Sequence, residues 1–149
     1  MALRIITHGS AEYLQMLRLR MDMLRAPLGL SFDENDLEQE KNDWLLASVE
    51  DQQMTGCCVL TPLDDQTLRL RQMAVPKNLQ AKGIGRSLIR FAETLSLDLG
   101  YRRMILHARK TAMGFYEKMG YVATGSEFTE VGIPHYVMEK MLEPLATAP

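Results

Sequence analysis

Cysteine, histidine and tryptophan are scarce in this 149-residue chain, at two, three and one. The two cysteines, Cys57 and Cys58, are neighbours in a stretch that reads as a strand. Adjacent strand residues point to opposite faces, so the pair is poorly placed to bridge and reads as small apolar filling. His8, His107 and His135 are scattered, and no metal-type ligand spacing accompanies them, so no metal is expected. Charge of one sign is also missing. Nineteen acidic against seventeen basic residues leave a formal charge of −2, which gives no global field for nucleic acid or an anionic membrane. No apolar run approaches the roughly 18 residues of a membrane span, and residues 1–7 lack a signal peptide's hydrophobic core. The expectation is a reduced, soluble, cytoplasmic protein with neither nucleic acid nor membrane as partner.

What is present suits one folded domain. Hydrophobic residues make up 46% and charged residues 24%, in a length that supports one core and not two comfortable ones. A single domain over 1–149 is therefore expected. The eleven methionines, Met21, Met73 and Met104 among them, mostly fall at helix or strand core positions and read as core filling.

Residues 3–7 read as a strand. Ser10 can cap a helix reaching about Leu24, with Ala11, Leu14, Leu17, Met21 and Leu24 on one face, stopped by Pro27 and Gly29. An acidic helix is predicted over 33–42, then a hairpin of strands 44–49 and 54–60, and a strand over 67–75 ended by Pro76. A loop over 77–82 leads to a helix over 85–99, where Leu88, Ala92, Leu95 and Leu99 share a face and Gly100 suits a left-handed cap. A strand over 103–107, a helix over 112–119 ending at Gly120, and strands over 121–128 and 135–141 follow, the last two joined by Val131-Gly132-Ile133-Pro134. The tail from Pro144 reads as frayed. The order β-α-α-β-β-β-α-β-α-β-β describes an α+β fold with a mixed sheet, not a doubly wound one.

Chemistry concentrates in Gln80-Ala81-Lys82-Gly83-Ile84-Gly85-Arg86-Ser87, between a strand and a helix. The two glycines let backbone approach a ligand, the helix start offers unpaired N–H groups and a positive dipole end, and Lys82 and Arg86 add cations. That combination suits a diphosphate. It is not the dinucleotide fingerprint, which wants a small third residue where Leu88 stands. Nor is it the nucleoside-triphosphatase loop, whose glycines are more widely spaced and whose Lys-Ser/Thr follows the second directly.

Gln80-x-x-Gly83-x-Gly85, after a strand ending Met73-Ala74-Val75, resembles the coenzyme A diphosphate signature of the GNAT acetyltransferases. Ala112-x-x-Phe115-Tyr116-Glu117-Lys118-Met119-Gly120-Tyr121 resembles the family's other recurring segment, in the right order and separated by a strand. Leu24-Arg25-Ala26-Pro27-Leu28-Gly29-Leu30 and Val131-Gly132-Ile133-Pro134-His135 are similar to the ElaA-like branch.

The resemblance implies a mostly antiparallel central sheet flanked by helices and splayed at the acyl-CoA site. It also implies acetyl-CoA as cosubstrate and an N-acetyltransferase that passes acetyl to an amine of a small molecule or peptide by direct attack through a tetrahedral intermediate. On that likeness Met73 and Val75 bond the pantetheine arm through backbone groups, and the Met73 N–H also stabilises the oxyanion. Gln80 belongs to the cofactor signature, and Lys82, Gly83, Ile84, Gly85, Arg86 and Ser87 hold the diphosphate. Tyr116 matches the tyrosine that protonates the departing thiolate; with a phenol at about pKa 10 and a thiol at about 8.5, that transfer is uphill by only about 2 kcal/mol, within reach of a positioned acid. The alternative for Tyr116 is a core or CoA-contact role. One departure is Arg109, which stands where many relatives carry a pantetheine-contacting asparagine.

Glu127, Glu130 and His135 lie near the closing strands as candidate bases, with a turn-bracing role favoured for His135 and a water relay equally allowed. The run Asp33, Glu34, Asp36, Glu38 and Glu40 could draw a cationic amine, but reads first as a solvated helix face. Homodimers are common among relatives, so a second copy is an expected partner. The alternative readings are a non-catalytic acyl-CoA sensor and a structural domain whose glycine loop is only a turn.

Overall fold

The computed structural model describes residues 1–143. The tail from Pro144, which the sequence reads as frayed, lies outside them. The fold is a mixed α+β one with seven strands among the described residues. The described residues form two compact units, Met1–Thr61 with Leu70–Ala92, and Pro62–Arg69 with the described residues from Glu93 on.

The first unit holds β1 (Ala2–Ile6), β2 (Trp44–Glu50), β3 (Gln53–Pro62) and most of β4 (Thr67–Ala74), in that spatial order. β1 and β2 pair antiparallel, as do β2 and β3. Asp51 and Gln52 close the β2–β3 hairpin with φ of 50° and 64°. Two consecutive left-handed residues are what a tight two-residue hairpin turn requires. Between Ser48 and Val49 the register slips, leaving Thr55 as the extra residue; its hydroxyl meets Ser48 Oγ at 2.8 Å inside the core.

α1 (Ala11–Arg20) starts at Ser10, whose Oγ accepts from the Tyr13 N–H at 3.1 Å, as the sequence leads one to expect. Its buried face matches the expected one only in part: Leu17 and Leu24 pack half-buried against the core. Tyr13, Met16 and Arg20 point inward, while Leu14 is 58% exposed. Tyr13 and Met16 join Ile6, Leu45, Ala47, Cys57, Val59 and Ala74 in the core. The helix does not stay α-helical to Leu24 either: it widens into a π-helical turn, Met21–Arg25, then a 3₁₀ turn, Ala26–Leu28, ending at Gly29 with φ 68°. The predicted acidic helix is α2 (Glu34–Gln39) followed by a 3₁₀ turn, Glu40–Asn42.

α3 (Ile84–Asp98) buries Ile84, Leu88, Ile89, Ala92 and Ser96, whereas Leu99, expected on that face, lies beyond its end and is exposed. Gly56 on β3 makes the approach of its first turns possible. A Cβ there would sit 2.8 Å from Ile84 Cγ2 and 2.9 Å from Leu88 Cδ1, so an added methyl would drive the helix start outward.

The second unit carries β5 (Arg103–Arg109), β6 (Val122–Glu130) and β7 (Ile133–Met141), ordered β5-β7-β6 and antiparallel. The helix expected over 112–119 is shorter, a 3₁₀ turn, Lys110–Ala112, followed by α4 (Met113–Glu117). Val131 and Gly132 alone make the β6–β7 turn; Ile133 and Pro134, expected in the connector, are already in β7, with Pro134 opposite Thr129. Behind α4, Glu93 accepts from Tyr121 Oη at 2.7 Å and from Lys140 Nζ at 3.0 Å, and Lys140 Nζ also donates to the Met119 carbonyl at 2.8 Å. This network fixes the corner at which the Phe115-to-Tyr121 segment turns.

Candidate active site

In the first unit, β4 leads straight into the glycine loop. Met73 and Val75 are half-buried near its end. Gln72, just before Met73, has φ 55°. A glutamine in the left-handed region inside a strand is strained, and it breaks the alternation that would otherwise aim Met73. Cys57 Sγ lies 3.8 Å from the Gln72 carbonyl, and Gln72 Oε1 is buried without a hydrogen-bond partner among the described residues. The sequence gives no hint of this kink, because no glycine marks it.

Past Pro76 a 3₁₀ turn, Lys77–Leu79, carries the chain to Gln80, whose Nε2 donates to the Val75 carbonyl at 3.0 Å. Gln80 therefore clips the loop to the end of β4. Ala81 and Gly83 have φ of 67° and 84°, and the Ser87 N–H makes a helical bond to the Gly83 carbonyl at 3.0 Å. The N–H groups of the first turn, through Arg86, precede that bond and lack helical acceptors. A Cβ on Gly83 would meet nothing within 4 Å. Lys82 and Arg86 are exposed beside it. Alternating backbone signs, free N–H groups, open space and two cations are what an anionic diphosphate needs, so these residues fit coenzyme A.

In the second unit Tyr116 is half-buried on α4, edge-on to Phe115 at 5.1 Å and to Tyr121 at 6.1 Å between centroids. Arg109 is exposed at the end of β5, opposite His135. The candidate bases all have partners. Glu127 pairs with Lys110 at 2.9 Å; Glu130 Oε1 lies 3.0 Å from His107 Nδ1; and buried His135 places Nδ1 2.8 Å from the Ile133 carbonyl, bracing the β6–β7 turn. Burial acts against the Glu130 charge, but the His107 hydrogen bond and the charges of His107, Arg69 and His135 hold its carboxyl below the ordinary range. The cysteines are free and buried. Desolvation pushes the Cys57 thiol up to about 12 and the Cys58 thiol well above its ordinary value, so neither is a nucleophile at neutral pH.

A sequence profile of the acetyltransferase (GNAT) domain matches residues 32–142. The chain belongs to the GNAT acetyltransferases. Among curated proteins it is 33% identical to Bacillus subtilis YyaT, itself uncharacterized, over 73% of this chain and 72% of that protein. It spans about half the length of two other Bacillus subtilis relatives it matches. In fold it is similar to an aminoglycoside 6′-N-acetyltransferase solved with coenzyme A, with TM-score 0.80 and 16% identity over 99% of this chain and 100% of that one. It is likewise similar to Escherichia coli ElaA, with TM-score 0.78 and 16% identity over 93% and 98%. Acetyl-CoA-dependent acyl transfer to nitrogen is thus the chemistry of its family, and the α+β fold is the family's fold. Among the described residues no helix is long and apolar enough to cross a membrane.

A second group of polar residues in this acetyltransferase surrounds the acidic run, which the sequence reads as a solvated face. Asp33, Glu34, Asp36 and Glu38 are indeed exposed, but Glu40 is only 2% exposed and pairs with the fully buried Arg20 through two bonds of 2.8 and 2.7 Å. Tyr13 Oη donates to the same carboxylate at 2.8 Å, and Arg71 of β4 reaches it at 3.4 Å. Burial opposes Glu40's charge, yet the Arg20 bonds and charge, with Tyr13 and Arg71, hold its carboxyl below the ordinary range. Nearby, burial raises the carboxyl of Asp43 against the pull of Thr61 and Arg71. No short-range signal marks these residues as one group, since they stand 20 and 31 positions apart.

Proposed function

We propose that this chain is a single acyl-CoA N-acyltransferase domain over 1–149 that transfers acetyl from acetyl-CoA to an amine of a small molecule or peptide, by direct attack without a covalent enzyme intermediate. The observation that carries this reading is the Gly83–Gly85 turn, which opens free N–H groups and clear space directly after the kinked end of β4. Lys82, Gly83, Ile84, Gly85, Arg86 and Ser87 hold the diphosphate, Gln80 keeps the loop in place, and Met73 and Val75 bind the pantetheine arm through their backbone. Acetyl-CoA supplies an acetyl group activated as a thioester. The Met73 N–H is the donor for the negative charge that develops on the carbonyl oxygen, a contribution of about 3 kcal/mol for such a donor. Tyr116 delivers the proton to the leaving sulfur.

The same reading includes a cytoplasmic location, supported by two buried cysteines kept as thiols. It also includes a homodimer, supported by the largely exposed edge strand β6, with Val122 and Val131 open to solvent.

Thermal unfolding with and without acetyl-CoA tests it, with adenosine and ATP as controls. Saturating acetyl-CoA should raise the transition as a ligand of the native state alone does, by about 2.7 kcal/mol at a hundredfold excess over Kd. Gly83→Asp should remove that shift, and Tyr116→Phe should keep it while lowering kcat at fixed binding. No shift for the wild type would overturn the reading; a shift with no turnover on any amine would favour a sensor module instead.

A further inference from the structure

The acetyl-CoA seat uses none of the arginines gathered around Glu40. Arg20 and Arg71 contact the carboxylates of Glu40 and Asp43 there, and Arg25 stands with Arg20 over the Phe32 ring, within reach of the charges of Arg20, Arg71, Asp36 and Glu40. Glu40 is already spent. Arg20 takes both of its oxygens, and Tyr13 adds a third short bond. Arg71 is left with long contacts, 3.4 Å to Glu40 and 3.5 Å to both Asp43 and Thr61, all made by Nη1. Its Nη2 and Nε have no protein partner among the described residues, and the side chain is 21% exposed.

Arg25 closes the π-helical turn half-buried, with its guanidinium 5.0 Å from the centre of the Phe32 ring and no ion pair among the described residues. Burial, together with the charges of Arg20 and Arg71, lowers its pKa, with Asp36 and Glu40 pulling the other way. Of the acidic residues around α2, Asp33 caps the Asn35 N–H and Glu38 pairs with Lys41, while Asp36 acts on Arg25 only through its charge.

Resting on the acetyltransferase reading above, we propose that Arg71 and Arg25 bind a carboxylate of the acceptor, so that the substrate is an amine that also carries a carboxylate, an amino acid or a compound built like one. The open Nη2 and Nε edge of Arg71 is the planar fork that takes a carboxylate through two parallel bonds, which a lysine could not offer. Arg71 also lies two residues before Met73, across the kink at Gln72, a separation of at most about 7 Å, the span of two extended residues. An amine reaching toward the Met73 N–H and a carboxylate held at Arg71 then span a molecule of amino-acid size. A π-helical turn that ends at Arg25 agrees with this, because such turns recur where a helix serves a site.

The test reads ligand binding and turnover separately. Succinate, a carboxylate without an amine, is titrated at constant ionic strength against sodium chloride, with thermal unfolding as the readout. A saturable rise is expected in the wild type, and Arg25→Gln and Arg71→Gln should each weaken succinate about tenfold or more while keeping the acetyl-CoA shift. Turnover is then compared between amino acids and their decarboxylated amines. Loss of the carboxylate should lower kcat/KM about tenfold to a hundredfold in the wild type and by little in Arg71→Gln.

A wild type that shows no saturable succinate shift, succinate affinity unchanged in both variants, or decarboxylated amines used equally well would overturn the proposal. If Arg71→Gln fails to fold, Arg25→Gln carries the test, since it breaks no ion pair. The acetyl-CoA shift on the same samples separates the two ideas. Its absence would remove the acetyltransferase reading and leave the succinate result to decide the cluster alone.

Discussion

Arg69 and Arg71 stand two positions apart on β4, yet each belongs to an ionic cluster of different character. Arg71 lies in the first unit beside an ion pair from which water is excluded, Arg20 with Glu40. Arg69, in the second, meets His107 Nδ1 at 3.1 Å and Glu130 at 3.8 Å in a group whose side chains are mostly a quarter to a third open. Glu40 and Arg20 have a fixed role, because each is buried and satisfied largely by the other. His107 Nδ1 faces both an arginine donor and a carboxylate acceptor and can serve only one: protonated it donates to Glu130, bare it accepts from Arg69. Burial therefore separates a structural clamp from an adjustable contact, although both contain the same residue types.

The strongest way to break this contrast is Glu40→Ala. It leaves Arg20 uncompensated at 0% exposure, and removing one member of a buried pair costs about 3–5 kcal/mol. Denaturant unfolding should show a loss of that size. A loss below about 1 kcal/mol would mean that water reaches Arg20 and that the clamp is no more buried than its counterpart.

Acid should separate the clusters next. Glu40 has a folded pKa below its ordinary value of 4.5, so its contribution is present above that value and disappears as pH falls through the lower, folded one. Glu130 is lowered in the same direction, but it is more than a third exposed and therefore screened by salt. Stability measured from pH 5 downward should drop less steeply in Glu40→Gln than in the wild type, and half-molar salt should leave that difference largely intact. If salt abolished it, the Glu40 pair would have to be reclassified as a surface one.

Features governed by neighbours in sequence were legible before the structure. Ser10 caps α1, Gly100 and Gly120 end helical segments with φ of 94° and 95°, and the glycine loop falls between β4 and α3. Each depends on a few adjacent residues whose preferences agree. The inward face of α1 was misread because Arg20 occupies a core position on the Tyr13–Met16 stripe; counting it as polar rotated the expected face toward Leu14. An arginine is buried there only because Glu40, twenty residues away, neutralises it. The kink at Gln72 and the π-helical turn before Ala26 were invisible for a related reason. Neither residue choice favours the backbone seen, so the surrounding packing imposes it. The glycine loop between β4 and α3 was thus readable as local chemistry, whereas the arginine cluster needed the fold to assemble it.

The smallest effect expected is that of Glu130→Gln. The substitution removes a charge that His107 meets at 3.0 Å, Arg69 at 3.8 Å and His135 at 3.5 Å. Pairs this exposed contribute about 0–1 kcal/mol, and glutamine can still accept one hydrogen bond, so stability should change by less than about 1 kcal/mol. His107 is then free to accept from Arg69 without competition, and His135 keeps its 2.8 Å contact to the Ile133 carbonyl. Imidazole proton resonances compared at one fixed pH between wild type and variant should therefore move for His107 more than for His135. Equal movement would mean that Glu130 grips both rings alike. A loss of several kcal/mol would place this group beside the buried Glu40 pair and erase the contrast between them.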